Sequence, residues 1–449
     1  MIKKKDLDQK SLRYHDFPVP GKIGIKTTKP CETQQDLSLA YTPGVAKPCL
    51  DIKDNPDDVW KYTCKSNLVA VVSDGTAVLG LGNIGPEAGL PVMEGKAVLF
   101  KRFADIDAFP LCLNRVFNDK GRTDAKVLIE TVQRLEPTFG GINLEDIGAP
   151  ACFEVEQTLK KRMNIPVFHD DQHGTAIISL AAMTNALKLF NKKIEDCKIV
   201  VNGAGAAGIA CSEFYITAGA KRENFIMCDS KGVIHNGLTG LSPEKQRFAS
   251  ATKARTLAEA LKGADIFLGL SVGNIVTKEM VQSMNPGAII FAMANPIPEI
   301  YPQDALDAGA AVVGTGRTDF PNQINNVLGF PGIFRGALDV RATDINEAMK
   351  LAASRALSII ACEKIPKNIL DIMKVAYPAD AANGVFDGDM PMKNTFVIPK
   401  PFDPRVVPKV ARFVAEAAMA TGVARVEIKD LIAYEKSVAE RIKKANGLK

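Results

Sequence analysis

Histidine is scarce in this chain, with four in 449 residues. His169 and His173 stand four apart, and the other two are His15 and His235. A zinc hydrolase of the HExxH kind needs a helix through both histidines and a glutamate after the first. Asp170 follows the first here, and the approach NIPVF reads as a strand. Any third histidine ligand would have to come from far along the chain. The nine cysteines are scattered, with no CxxC pair. That excludes a disulfide framework and suits idle thiols in a reducing cytoplasm. No apolar run approaches the roughly 20 residues that cross a bilayer, so no membrane is expected. The basic start MIKKKDLDQK leads into no apolar h-region, so no signal peptide is expected. Charge of one sign is also lacking: 56 basic and 51 acidic residues leave +5. So small and dispersed an excess argues against nucleic acid and fits an enzyme with a small anionic substrate.

What is present is a soluble composition and a regular pattern. The length suggests two or three domains with ample core. Residues up to about 60 are polar and helix-like, broken by segments such as FPVPGKIGIKT. Apolar runs then appear at 68–73, 108–113 and 140–143, with a periodic, helical segment at 124–135. From Lys198 strands alternate with helices: KIVV, AGIACSEFYITAG, NFIMCD, LAEALKGA, ADIFLGLS, TKEMVQSM and GAIIFAMANP. Such alternation predicts βαβ units and a parallel sheet. The expected fold is α/β, a doubly wound Rossmann-like sheet beside an N-terminal α/β substrate domain. A boundary is expected near residues 160–195. The helices VPKVARFVAEAAMATG and KDLIAYEKSVAERIKKAN could pack on either part.

Gly203-Ala204-Gly205-Ala206-Ala207-Gly208 fits GxGxxG. The motif alone is weak, but a strand precedes it and a helix follows. The first glycine allows the tight turn, and the second lets backbone approach a pyrophosphate at the helix N-terminus. The third allows close helix packing. Asp229 ends the next strand, where a carboxylate takes the ribose hydroxyls of NAD and repels a 2′-phosphate. Ser230 and Lys231 follow at once, and a lysine there suits that phosphate. NAD and NADP both stay open. Asn295-Pro296 follows another strand, which makes Asn295 a candidate contact for substrate or nicotinamide, against a plain Asn-Pro turn.

Two acidic doublets end short apolar runs: Glu145-Asp146 and Asp170-Asp171. Brought together, four carboxylates would repel, and a divalent cation would relieve this. All-oxygen ligands favour Mg²⁺ or Mn²⁺. The alternative is two unrelated turns with solvated acids. Lys96 follows a glycine and precedes an apolar run, so burial or a nearby cation would lower its pKa and make it a base. An ordinary snorkelling lysine is the alternative. Tyr41 stands before the turn Thr-Pro-Gly, where a tyrosine is usually a packing residue.

Seven segments in order, LAYTPGVA, SDGTAVLGLGNIGPEAGLPVMEGK, NLEDIGAPA, FHDDQHGTA, NGAGAAG, ANPIPEI and INNVLGFPG, resemble malic enzyme of the compact bacterial type. The resemblance spans nearly the whole chain. It implies oxidation of L-malate with NAD or NADP and decarboxylation to pyruvate. It implies Tyr41 as the acid that protonates the enolpyruvate carbon and Lys96 as the base. It further implies Glu145, Asp146 and Asp171 as ligands of Mg²⁺ or Mn²⁺, and Asp170 as the partner that tunes Lys96. Asn295 and Asn326 would hold malate's carboxylates, and Gly174-Thr175 would let a helix start near the cofactor. The implied division is a substrate domain over 1–160, a NAD(P) domain over 161–400 and a helical segment over 401–449. A homodimer or homotetramer is implied too. Larger eukaryotic-type members carry an arginine where this chain has Ala77, so either another cation holds that carboxylate or malate binds weakly. The acetyltransferase-like extension of some bacterial relatives is not expected, nor regulation through it. Two other readings stand beside this one: a redox-neutral relative turning malate into lactate, and a nicotinamide-binding regulatory protein with a decayed site. The second would have lost some of Tyr41, Lys96 and the acidic doublets, and none is lost.

Overall fold

A computed structural model describes residues 4–388 and 392–447. Two sheets carry the chain, the first parallel and the second parallel but for one edge pair. The first has strands β1 (Leu68–Ser73), β2 (Asp107–Cys112), β3 (Gly141–Leu144) and β4 (Val167–His169), in the order β2-β1-β3-β4. The sequence LVAVVS of β1 is valine-rich and apolar up to its last residue, Ser73, as suits a strand covered on both faces, and five of its six residues are buried.

The second sheet has seven strands in the order β11-β10-β9-β8-β5-β6-β7. They are β5 (Ile199–Asn202), β6 (Phe225–Asp229), β7 (Gly232–Val233), β8 (Ile266–Gly269), β9 (Ile289–Ala292), β10 (Val312–Thr315) and β11 (Asn322–Gln323). Only β6–β7 is antiparallel. From β5 the chain builds outward to β6 on one side and later to β8 on the other. The β5/β8 boundary is therefore a switch point, where a crevice opens at the carboxyl ends of the strands. The α/β doubly wound architecture expected from the alternation is the one observed.

The Asp170–Leu189 helix joins the sheets. Burial of fourteen of its twenty residues leaves no amphipathic stripe. One apolar core runs from Val69 and Val71 of β1, through Ile177 and Leu180, to Ile199 and Val201 of β5. This helix corrects the sequence reading, which started it near Gly174. It starts at Asp170, directly after β4, so His173 is helical and His169 is its N-cap.

The glycine-rich stretch before residue 104 hides a second helix, Pro86–Ala104, with Pro91 inside it. Lys96 sits mid-helix. The Val406–Ala420 helix packs on the Phe330–Asp339 and Glu347–Cys362 helices. A Cβ on Gly332 would lie 2.7 Å from Val410, so glycine permits that approach. The Leu431–Ala445 helix is tied by Arg441 to Asp105 at 2.9 Å and to Asn67 at 2.9 Å. Its Tyr434 reaches Asp339 at 2.7 Å. It thus grips both parts of the molecule, a choice the sequence left open.

Among the described residues, none from 6 to 59 is buried. Leu12, Phe17, Ile25, Leu39 and Tyr41 are all exposed there. No helix among the described residues is long and apolar enough to cross a membrane.

Candidate active site

Strand ends bring the two acidic doublets together. Glu145 and Asp146 follow β3, and Asp170 and Asp171 open the helix that follows β4, the strand paired to β3. Glu145, Asp146 and Asp171 each offer an oxygen, all within 4.8 Å of one another. The backbone is bent to do this. Asp146 has φ +55, a left-handed conformation that costs an ordinary side chain energy. Its N–H donates to Asp171 at 2.7 Å. Its carbonyl accepts from the Ala77 N–H at 3.0 Å. The loop bearing Ala77 is itself fixed by Asp74, which accepts from Thr76 at 2.6 Å and Thr123 at 2.5 Å.

The three carboxylates are costly as they stand. Burial, with Asp171 next, pushes the Asp146 carboxyl up to about 7. Burial holds Glu145 well above the usual carboxylate range, although Lys96 pulls it down. Asp146 Oδ2 is buried with no hydrogen-bond partner. A divalent cation with oxygen ligands would satisfy that atom and offset the repulsion, so the residues fit such an ion.

Lys96 extends from its helix to the other face of the cluster. Its Nζ lies 2.7 Å from Asp170 Oδ2, 2.9 Å from Glu145 Oε1 and 4.4 Å from the centre of the Phe330 ring. The sequence led us to expect a lowered pKa, and this is corrected. Burial does lower it, but Asp170 and Glu145 outweigh burial and hold the ammonium well above its ordinary value.

Asn326 closes the same pocket. Its Nδ2 donates to the Asp170 carbonyl at 3.3 Å, and its Oδ1 accepts from Thr175 at 3.1 Å. Gly174 makes this possible, because a Cβ there would lie 2.2 Å from Asp170 Oδ1 and 2.9 Å from Asn326. That close approach, not a helix start, is what Gly174 provides.

Behind the cluster lies a network that sequence reasoning missed. Buried Glu156 accepts from the His169 N–H at 3.1 Å and pairs with His173 Nε2 at 2.8 Å. His173 Nδ1 lies 3.1 Å from Lys350 Nζ. Burial opposes the Glu156 charge, but His173 outweighs it and holds the carboxyl at about 2. Through Glu156, the His169 backbone and the His173 ring brace the first turn of the helix.

At the switch point, Gly203 has φ +123. A Cβ on Gly208 would lie 1.8 Å from the Gly203 carbonyl, so the Ala206–Thr217 helix meets the turn at glycine distance. Gly205 faces open space. Asp229 accepts from the Lys231 N–H at 2.9 Å and from Lys245 Nζ at 2.7 Å. Burial raises its carboxyl, yet Lys245 and the Lys231 amide outweigh that and hold it below the usual range. Lys245 was missed because it comes from a four-residue helix, Pro243–Gln246, in an irregular loop. Asn295 lies three residues past β9, with its carbonyl 2.5 Å from where a Cβ on Gly80 would stand. The crevice and the first lobe thus meet at this residue. Tyr41 stands apart: it is 68% exposed, and its hydroxyl makes no hydrogen bond to a described residue.

Fold and site together define a two-lobed α/β protein with a dinucleotide-type sheet beside a lysine–carboxylate cluster. Residues 20–160 match the family model for the malic enzyme N-terminal domain, and residues 172–375 match that for the malic enzyme NAD binding domain. The chain belongs to the malic enzyme family. It is 53% identical over 427 residues to the bifunctional malic/malolactic enzyme of Bacillus subtilis, covering 94% of this chain and 95% of that one. It is 51% identical over 443 residues to the NADP-dependent malic enzyme of Escherichia coli, covering 98% of this chain and 56% of that one. Here, as with the probable NADP-dependent malic enzyme of Rickettsia prowazekii, the chain spans about half the relative's length. Among solved structures, malic enzyme from Pyrococcus horikoshii matches with a TM-score of 0.85 and 42% identity, covering 98% of this chain and 97% of that one.

Proposed function

We propose that this chain oxidises L-malate with a nicotinamide cofactor and decarboxylates the product to pyruvate. The observation that carries the reading is Lys96, paired to Asp170 and Glu145 at the edge of a three-carboxylate cluster. Malate would lie between Lys96, Asn295 and Asn326. A divalent cation held by Glu145, Asp146 and Asp171 would supply Lewis acidity at malate's C2 oxygen, and the nicotinamide would accept the C2 hydride. Lys96 takes the hydroxyl proton at Nζ, and its two carboxylates stabilise the ammonium that results. With Glu145 committed to a cation, one ion pair weakens and Lys96 gives up its proton more readily. After CO₂ leaves, Tyr41 protonates C3 of the enol of pyruvate. Residues 203–208 would hold the pyrophosphate. The test is malate-dependent reduction of cofactor with pyruvate formed in equal amount.

The cofactor reading favours NADP. Lys245 neutralises Asp229 at 2.7 Å, which removes the repulsion that an aspartate there opposes to a 2′-phosphate. Ser230, Lys231 and Lys245 would line that phosphate. The division is a substrate unit and a cofactor unit, with 401–449 packed across both; the boundary expected between 1–160 and 161–400 moves past β4, because Val167–His169 pairs with β3 in the first sheet. We also propose a homo-oligomer, dimer or tetramer. Its support is the arm over residues 6–59, which buries nothing yet exposes large apolar side chains and Tyr41. A second copy covering the arm would bring Tyr41 out of bulk water. The nine free cysteines suit a cytoplasmic setting. A malolactic outcome is the second reading, favoured by the bifunctional name of the Bacillus relative.

A further inference from the structure

We propose that Glu299 is a positioning residue: a buried carboxylate that sets the spacing between the two walls of the crevice at the switch point. The inference rests on that crevice being the cofactor and malate site.

Glu299 is 0% exposed. Its carboxylate bonds to backbone alone. Oε1 accepts from the Ser271 N–H at 3.0 Å, and Oε2 accepts from the Ala294 N–H at 3.0 Å. Ser271 lies just past β8, and Ala294 just past β9. Burying a carboxylate is expensive, and a core that needed only filling would use an apolar side chain. Gly269, at the end of β8, makes room: a Cβ there would lie 2.4 Å from Glu299 Cδ. The two loops are joined again by the Asn274 N–H to the Pro298 carbonyl at 2.9 Å, and by the Val276 N–H to the Glu299 carbonyl at 3.0 Å.

Each loop leads to a different part of the site. On one side, Asn202 donates to Ser271 Oγ at 2.5 Å, and the Leu270 N–H donates to the Asn202 carbonyl at 2.8 Å. The Leu270 carbonyl lies 2.4 Å from where a Cβ on Gly203 would stand, so this loop abuts the glycine turn. On the other side, Ala294 precedes Asn295, which packs against Gly80 of the first lobe. One carboxylate therefore links the cofactor turn to the asparagine that would face malate. Hydride transfer depends on that distance, and a displacement of about 1 Å costs on the order of 100-fold in rate. Two backbone donors demand two acceptors. Glutamine would turn an NH₂ toward one of them, and aspartate is a methylene too short to reach both.

The experiment compares wild type with Glu299→Gln and Glu299→Asp. It measures kcat, KM for malate, binding of 2′,5′-ADP by calorimetry, and the thermal midpoint. 2′,5′-ADP reports the adenosine half of the cofactor site: its 5′-phosphate would reach the glycine turn but not Asn295. The expected result is a folded Glu299→Gln protein that binds 2′,5′-ADP within about twofold of wild type, while kcat falls at least about tenfold. Glu299→Asp should not rescue it. An unchanged kcat, or a fall matched by equal loss of 2′,5′-ADP binding, would overturn the proposal. Should Glu299→Gln fail to fold, Gly269→Ala pushes the intact carboxylate aside and should give the same split. An unchanged kcat in Gly269→Ala would likewise overturn it. Wild type that oxidises no malate defeats the functional reading instead, so the two failures are distinguishable.

Discussion

Lys96 Nζ lies 2.7 Å from Asp170 Oδ2, although 74 residues separate them in the chain. Lys96 comes from the middle of one helix and Asp170 from the first turn of another. The pair forms because Pro86–Ala104 and Asp170–Leu189 pack into the same core beside β1. Glu145, at 2.9 Å, shares the same ammonium. Lys96, the proposed base, and the candidate cation site therefore form one electrostatic unit.

Lys96→Ala should lower malate oxidation by about 10²–10⁴-fold, the range for loss of a positioned base. Steady-state assays of cofactor reduction measure this. The same variant leaves Asp170 and Glu145 buried without their cation, so its thermal midpoint should fall as well. A variant with wild-type kcat would remove Lys96 from the reaction.

Tyr41→Phe should separate the two half-reactions. Oxidation continues, so reduced cofactor appears, while pyruvate lags behind it. Quantifying both in one reaction decides the point, and equal loss of both would count against Tyr41 as the acid. The exposed arm bearing Tyr41 also gives Leu39→Asp a clear outcome. Light scattering should show wild type above the 48.3 kDa of one chain, and the variant shifted toward it.

The candidate cation site predicts a pH-dependent stability. The Asp146 carboxyl is held at about 7 in the folded, cation-free protein, above its ordinary 3.8. A raised carboxyl favours folding when protonated. The stability is full below about pH 4 and is lost as pH rises toward 7. Calorimetry of chelator-treated protein should show its midpoint falling across that window. Mn²⁺ should restore it at pH 7, by about 2.7 kcal/mol at a hundredfold excess over Kd. Asp171→Asn should remove most of that Mn²⁺ response.

Glu156 titrates the other way. Held at about 2 by His173, below its ordinary 4.5, it contributes stability above about pH 4.5 and loses it as pH falls toward 2. Glu156→Ala should cost about 1–3 kcal/mol, because it leaves the His173 ring and the His169 N–H without their buried acceptor. Urea melts of the two proteins at neutral pH give this difference directly.

Lys245→Ala should raise KM for NADP by about tenfold while leaving KM for NAD nearly unchanged, since about 1.4 kcal/mol accompanies each tenfold change. The variant both removes a cation and frees the charge of Asp229. Parallel saturation curves with the two cofactors test it, and equal effects on both would assign the pair to folding alone.

The parallel strands were legible because runs such as IVV and IFL are apolar, short and bounded by glycine or polar turns. The GxGxxG turn was legible for the same reason, since its flanks named its place. The Pro86–Ala104 helix was not, because glycines and Pro91 blur the helical period. The start of the Asp170–Leu189 helix was misread because HDDQHG is polar and a helix buried all round shows no stripe. Lys96 and Asp170 each looked ordinary alone, and only the family resemblance joined them. The sign of the Lys96 shift needed coordinates, because burial and two carboxylates oppose each other there. Lys245 and Glu156 carry no local motif, and each acquires its partner through tertiary folding. Glu299 stands inside ANPIPEI, but its link to Ser271 comes only with the packing of two loops.

The most direct test mixes the protein with L-malate and Mn²⁺, with NADP or NAD in parallel tubes, and follows reduced-nicotinamide absorbance and pyruvate together. The account predicts one pyruvate for each reduced cofactor, formed faster with NADP. Lactate formed with no reduced cofactor, or no product in either tube, would contradict it.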